Sequence, residues 1–68
     1  MPNLNFVLMG SNIWDVESAH TGVIVGFVEW RESWGAFGFQ ANSYHLDAVA
    51  LREIAKFLDD QDQLRGQR

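Results

Sequence analysis

The chain has 68 residues, a formal net charge of −4 and no cysteine. This length allows one small domain, near the lower limit for folding without disulfides or a structural metal. The lack of cysteine excludes disulfide bonds and thiolate metal clusters. The five basic residues are scattered, whereas proteins that bind DNA or RNA usually carry a clustered positive surface. Direct binding to nucleic acid is therefore disfavoured.

The N-terminal segment, residues 1–9, contains no positively charged side chain and only four consecutive apolar residues. A secretory signal needs a positive start and an apolar run of about 7–15 residues, and a membrane-spanning helix needs about 20. We therefore expect a soluble cytoplasmic protein with no membrane association.

The first half of the chain reads as short strands joined by turns. Residues 6–9 are apolar and precede residues 10–12, Gly-Ser-Asn, which have turn chemistry. Residues 13–17 alternate imperfectly between apolar and polar side chains, as a half-buried strand does. Residues 18–22 predict a loop in which Gly22 adopts a positive φ angle.

The strongest predicted strand covers residues 23–30, which are β-branched or aromatic with little polar interruption. Both sets of alternating positions are apolar, a pattern typical of a strand covered on both faces. Residues 31–33 predict a hairpin connection, and residues 34–40 the partner strand. Glycines among the aromatic residues of this hairpin indicate large side chains lying over bare backbone, or a bend.

After a loop over residues 41–45, the sequence predicts an amphipathic helix. Asp47 is a suitable N-cap, and Leu46 before it is placed to pack on Leu51 as a hydrophobic staple. Phe57 falls at the flank of the apolar stripe, and residues 62–68 are expected to form a frayed tail. The stripe, which we expect in the core, consists of Leu51, Ile54, Ala55 and Leu58.

These elements predict a single α+β domain over residues 1–68. Its small antiparallel sheet has three to four strands, and one C-terminal amphipathic helix packs on one face. A helix covers a strip about 10 Å wide, so the opposite face has no cover from its own chain.

The second half of the chain resembles small phage-encoded proteins that carry a Trp/Phe-rich hairpin followed by a helix of the form L-x-E-I-A-x-x-L. The residues concerned are Phe37-Gly38-Phe39-Gln40, Leu46-Asp47-Ala48 and Leu51-Arg52-Glu53-Ile54-Ala55-Lys56-Phe57-Leu58. The resemblance covers about half of the chain and assigns no role to any residue. It implies a phage or prophage protein that binds a host protein in the host cytoplasm. Inhibitors of host defence, including anti-CRISPR proteins, are the best-known proteins of this kind.

No pattern of catalytic or metal-binding residues is present in the sequence. His20 and His45 lack the spacing of a metal site with Asp15, Glu17 or Asp47, and we interpret both as loop or surface histidines. The serines lack a nucleophile-elbow context, and the glycines form no phosphate-binding loop. We expect no catalytic residue, no metal and no cofactor, and therefore a protein that is not an enzyme.

Three acidic residues, Asp59, Asp60 and Asp62, cluster near the end of the predicted helix. They could imitate the phosphates of a nucleic acid, as in inhibitors that mimic DNA. Their ordinary interpretation is a solvated helix end, although a helix C-terminus favours cations over anions.

The aromatic hairpin is the main candidate for function, because four large aromatic residues fall within ten positions. Its surface has three interpretations: a packed core, a surface for self-association or partner binding, and a platform for stacking single-stranded nucleic acid. We predict a protein-interaction module that binds a host protein or complex, with a homodimer as a further possibility. The predicted contact residues are Trp30, Arg31, Trp34 and Phe37, with Glu29 and Glu32 at the polar rim.

Overall fold

The structure, a computed structural model, describes residues 3–42 and 45–66. Its four strands are β1 (Leu4–Gly10), β2 (Ile13–Ser18), β3 (Ile24–Arg31) and β4 (Ala36–Ala41), and helix α1 (Ala48–Gly66) follows them. The strands form one antiparallel sheet in the order β1-β2-β3-β4. The predicted α+β class, with a small antiparallel sheet and a C-terminal helix, is confirmed.

The turns between strands follow the local chemistry of the sequence. Gly22 has a φ angle of 76°, as predicted, and its N–H donates to Ser18 O at 2.8 Å. In the β3–β4 turn, Gly35 has a φ angle of 62° and its N–H donates to Arg31 O at 2.9 Å. Trp34 therefore lies in this turn, and the prediction that the strand begins at residue 34 is wrong, because β4 begins at Ala36.

The strand register assigns side chains to the two faces of the sheet, since successive residues of a strand point to opposite faces. Phe6 lies opposite Val16, and Trp30 lies opposite Phe37. The face covered by α1, here called the helix face, carries Leu4, Phe6, Trp14, Val16, Val28, Trp30, Phe37 and Phe39. The opposite face, here called the open face, carries Asn5, Val7, Ile13, Asp15, Glu17, Ile24, Phe27, Glu29, Arg31, Ala36, Gly38 and Gln40.

The core lies between the helix face and α1. Val16 and Val28, on the two central strands, are fully buried there. The other buried apolar residues are Leu4, Val25, Phe37, Ala50 and Ile54. The helix packs on one face of β3 and leaves Ile24, on the open face, substantially exposed, so that this side of the strand has no cover from α1.

Helix α1 begins as the sequence predicts, but a different stripe of it meets the sheet. The Ala50 N–H donates to Asp47 Oδ1 at 2.9 Å, which confirms Asp47 as the N-cap. Leu51 and Ala55, both expected in the core, are exposed. The stripe that packs on the sheet is Ala50, Ile54, Phe57 and Leu58.

Phe57, which was expected at the flank of the helix, lies at the centre of its packing. Its ring stacks on Phe6 with 4.1 Å between centroids and 4° between planes. The same ring meets Trp14 edge-on at 5.3 Å. Aromatic pairs contribute about 0.5–1.5 kcal/mol beyond the area they bury, so this cluster holds the helix onto β1 and β2.

Carboxylates of the helix also accept hydrogen bonds from main-chain N–H groups at both sides of the sheet. The Asn3 N–H, directly before β1, donates to the Glu53 carboxylate at 3.0 and 3.1 Å. At the other side, the Phe37 N–H in β4 donates to Asp62 Oδ1 at 2.8 Å. The helix runs on to Gly66, so the part of the expected frayed tail that is described is helical, and residues 67 and 68 lie outside the described residues.

Within residues 3–42 and 45–66, no helix has both the length and the apolar character needed to cross a membrane.

Candidate functional site

Trp34 is the most exposed large aromatic side chain in the described part of the chain, at 69%. It lies over Gly38 on the open face, where a Cβ atom added at Gly38 would stand 3.0 Å from the indole ring. The Arg31 guanidinium carbon is 5.6 Å from the centre of the same ring, within the range of a cation–π contact. Bare backbone below and a cation alongside therefore hold the indole in an exposed position.

The acidic residues of the hairpin, which were expected at the rim of the contact surface, each have a partner within the hairpin. Arg31 Nη1 lies 3.5 Å from Glu29 Oε2 in a partly exposed ion pair. Glu32 Oε1 accepts a hydrogen bond from the Trp30 indole N–H at 2.9 Å. A shallow notch of about 230 Å³ beside the indole is lined by Glu29, Arg31, Trp34, Gly38, Phe39 and Gln40.

The other two predicted contact residues, Trp30 and Phe37, lie on the helix face. Phe37 is 6% exposed and belongs to the core. Trp30 meets Phe37 edge-on at 5.2 Å between ring centroids, and the Arg65 guanidinium carbon lies 3.9 Å from the centre of its ring. The expected contact set is thus divided between two faces, and Trp30 and Phe37 stabilise the packing of helix on sheet.

The remainder of the open face mixes apolar and acidic side chains. Val7 and Ile24 are exposed, and Ile13 and Phe27 are half-buried. Asp15 lies between Val7 and Phe27 in the strand register. These residues were not predicted as a site. The alternation in β2 could have indicated this face, because Asp15 and Glu17 share one side of the strand and Trp14 and Val16 share the other.

The acidic cluster near the helix end has its own partners. Asp62 accepts the Phe37 N–H, and Asp60 lies 3.3 Å from Lys56 Nζ in an exposed ion pair one helical turn apart. Asp59 is exposed. Because two of the three carboxylates contact other groups of the chain, the arrangement favours a structural and solvated helix end over a row of phosphate mimics.

The two histidines lie at the rim of a shallow groove beside the start of α1. His20 Nε2 is 3.4 Å from Asn3 Oδ1, and both His20 and His45 are exposed, which confirms their interpretation as loop or surface residues. The groove, of about 520 Å³, is lined by Asn3, Leu4, Ser18, His20, Val25, His45, Leu46, Asp47 and Ala50. In the described ranges, no three His, Cys, Asp or Glu side chains are grouped in a way that could hold a metal ion.

Taken together, the exposed indole, its arginine neighbour and the mixed apolar and acidic open face form the candidate site. No protein-family model matches the sequence, and no match was found among curated proteins or among solved structures.

Proposed function

We propose that this domain binds another protein through its open face, with Trp34 as the main anchor. The observation that carries the proposal is the position of Trp34, whose indole is 69% exposed and rests on Gly38 beside Arg31. Trp and Arg are the residues most enriched at the energetic centres of protein interfaces. An indole that is already held in place loses little conformational entropy on binding, which favours affinity.

The charges of the open face define the partner's chemistry. Among the described residues, Asp15, Glu17 and Glu29 lie on this face together with a single cation, Arg31. A partner surface that combines apolar side chains with lysine or arginine therefore complements it. The resemblance to phage proteins suggests a host protein as the partner and its inhibition as the outcome.

Binding of single-stranded nucleic acid is the alternative, with bases stacked on the open face. In the part of the chain that the structure describes, Phe27 and Trp34 are the aromatic residues on that face, and Asp15 and Glu17 accompany them. These carboxylates would repel the phosphates that such a strand brings to the surface. We therefore favour a protein partner, and expect no appreciable oligonucleotide binding at physiological salt.

The test compares two variants, each of which truncates a side chain with nearly the same exposed fraction. Trp34→Ala removes the proposed anchor, and Leu64→Ala removes a side chain of the helix that is 68% exposed. A partner captured from host cytoplasm is purified, and its affinity for each variant is measured by titration calorimetry. Loss of an anchor residue costs about 2 kcal/mol or more, which is roughly thirtyfold in Kd. We expect this loss for Trp34→Ala and a change below about twofold for Leu64→Ala.

Two results would contradict the proposal. One is a partner that binds the Trp34→Ala variant as tightly as the parent chain. The other is tight binding of an oligonucleotide whose affinity falls steeply as salt is raised, since that dependence reports phosphate contacts.

A further inference from the structure

We infer that the edge of strand β1 pairs with β1 of a second copy of this chain, which extends the sheet across a dimer. The inference concerns the edge of the sheet and does not depend on the partner proposed for the open face. It follows from the direction of the main-chain groups, the charge of the strand and the exposure of its side chains.

The hydrogen bonds of the sheet determine which main-chain groups of β1 point outward. The Ala19 N–H donates to Asn3 O at 2.9 Å, in the same register as the pair Leu4 and Ser18. In an antiparallel pair, residues alternate between those bonded to the neighbouring strand and those that are not. Asn5 and Val7 therefore bond to β2, and the N–H and C=O groups of Phe6 and Leu8 point away from the sheet.

Side chains of the same chain bond to part of the β4 edge, although the outward groups of Phe39 have no such partner among the described residues. On β4, the outward N–H of Phe37 is bonded to Asp62, and the Ala41 carbonyl accepts from Gln40 Nε2 at 3.2 Å. On the β1 side, the helix carboxylate bonds at Asn3, before the strand begins. Among the described residues, the outward groups of Phe6 and Leu8 thus have solvent or another strand as their partners.

Strand β1 also has a composition that allows a further strand to pair with its free edge. Its sequence, Leu-Asn-Phe-Val-Leu-Met-Gly, contains no charged residue and no proline, which are two of the features that protect an edge. Leu8 and Met9 are 60% and 59% exposed, and Val7 is 40% exposed. A register irregularity lies between Leu8 and Gly10, so the regular part of the edge ends at Leu8.

A second copy of the chain fits this edge. In an antiparallel pair centred on Val7, Phe6 of one copy lies opposite Leu8 of the other, and both contribute outward main-chain groups. This register forms about four main-chain hydrogen bonds. It also places Val7 against Val7 of the second copy on the open face, and Phe6 beside Leu8 of the second copy on the helix face.

Electrostatics favours this edge over the open face for self-association. Two open faces in contact would bring Asp15 and Glu17 of both copies together, at a cost from like charges. In the edge pair, the two β2 strands are three strand spacings apart, about 14 Å, which exceeds the Debye length of about 8 Å at physiological salt. The dimer leaves both open faces on one side and both helices on the other.

The test introduces one charge at the proposed axis. Val7→Lys points its side chain to the open face opposite Asp15, so the monomer keeps its fold and gains an ion pair. In the dimer, the two introduced ammonium groups face each other, which destabilises the pair. Ile24→Lys is the matched control, because Ile24 is 42% exposed on the same face and lies opposite Glu17, away from the edge.

Sedimentation equilibrium from about 1 µM to 1 mM measures the dissociation constant of each chain. We expect the parent and Ile24→Lys to dimerise, and Val7→Lys to do so at least about tenfold more weakly. Trp34→Ala should dimerise like the parent, which separates this inference from the proposed partner site. A parent chain that stays monomeric throughout would overturn the inference, as would equal dimerisation of Val7→Lys and Ile24→Lys.

Amide hydrogen exchange, followed by NMR, tests the register directly. Raising the protein concentration should slow exchange at Phe6 and Leu8 and leave Val7 unchanged, since the Val7 N–H is already bonded to β2. A dimer without concentration-dependent protection at Phe6 and Leu8 would place the contact on another surface and contradict the inference.

Discussion

The Asp62 carboxylate accepts a hydrogen bond from the main-chain N–H of Phe37 at 2.8 Å, which joins the last turns of the helix to the outer strand β4. The bond has two effects. It occupies an amide that would otherwise be open on the strand edge, and it fixes the helix above the core residue Phe37. A helix end that looks like a solvated acidic tail in the sequence is therefore part of the packing.

We predict that Asp62→Ala lowers the free energy of unfolding by about 1–2 kcal/mol, because a partly buried charged hydrogen bond is lost. Asp59→Ala is the control, since it removes the same charge from the same helix at an exposed position. Its effect should stay within about 0.5 kcal/mol. Urea denaturation of both variants measures the difference in the free energy of unfolding. Equal effects of the two substitutions would show that the hydrogen bond adds nothing to stability.

The position of Phe57 predicts a large effect of its truncation. Phe57→Ala removes the ring that stacks on Phe6 and meets Trp14, and should cost about 3 kcal/mol. Leu51→Ala should cost less than about 1 kcal/mol, because this leucine is half exposed on the outer side of the helix. A small domain has about 3–5 kcal/mol of stability, so circular dichroism should show Phe57→Ala largely unfolded at mild temperature. If Leu51→Ala instead destabilised the protein more than Phe57→Ala, the helix would pack through Leu51, as the sequence predicted.

Two glycines of the sheet should differ in their tolerance of a methyl group. At Gly26, an added Cβ collides with the Gln40 carbonyl oxygen and stands 2.5 Å from the Phe39 ring. Backbone cannot move aside within a sheet, so Gly26→Ala should cost about 3 kcal/mol or more. At Gly38 the nearest atoms belong to the exposed side chains of Trp34 and Arg31, which can shift, and Gly38→Ala should cost about 1 kcal/mol or less. Thermal unfolding of the two variants checks this difference, which equal losses of stability would contradict.

The three tryptophans should respond differently to a quencher in solution. Trp34 is exposed on the open face, whereas Trp14 and Trp30 are partly buried beneath the helix. Trp34→Phe should therefore remove most of the fluorescence that acrylamide quenches readily, and Trp30→Phe should leave that fraction in place. Because Trp34 lies in a turn, Trp34→Phe should change stability by no more than about 0.5 kcal/mol. Strong quenching that persists in the Trp34→Phe variant would contradict its assignment as the accessible indole.

Much of the fold could be predicted from local chemistry. The runs of β-branched and aromatic residues form strands, Gly22 adopts the positive φ angle that its loop requires, and Asp47 caps the helix through its side chain. The Trp34 ring lies over bare backbone at Gly38, as the glycines of the predicted partner strand indicate. Each of these features depends on residues close in sequence or on a simple steric fact.

The orientation of the helix could not be predicted in the same way. Its first half is rich in apolar residues, so a stripe through Leu51 and Ala55 and a stripe through Ala50 and Phe57 both satisfy the helical period. The choice between them depends on the rings of Phe6 and Trp14, which come from distant strands. Tertiary packing decided a choice that periodicity left open.

Only part of the candidate site could be predicted, because its residues also depend on how the helix packs on the sheet. Alternation along the hairpin shows that Trp30 and Phe37 share a face, but it does not show which face the helix covers. The glycine turn then moves Trp34 out of the strand and onto the opposite side, beside Arg31. Arg31 and Trp34 therefore remain in the proposed contact surface, whereas Trp30 and Phe37 do not.

The order of the strands in the sheet, which repeats their order along the chain, has a consequence for the folding pathway. Each hairpin closes only a short loop, so the entropy lost in joining neighbouring strands is small at every step. The contact between Asn3 and Glu53 instead joins positions 50 residues apart. We expect the sheet to assemble hairpin by hairpin within milliseconds, with docking of the helix onto β1 as the last event.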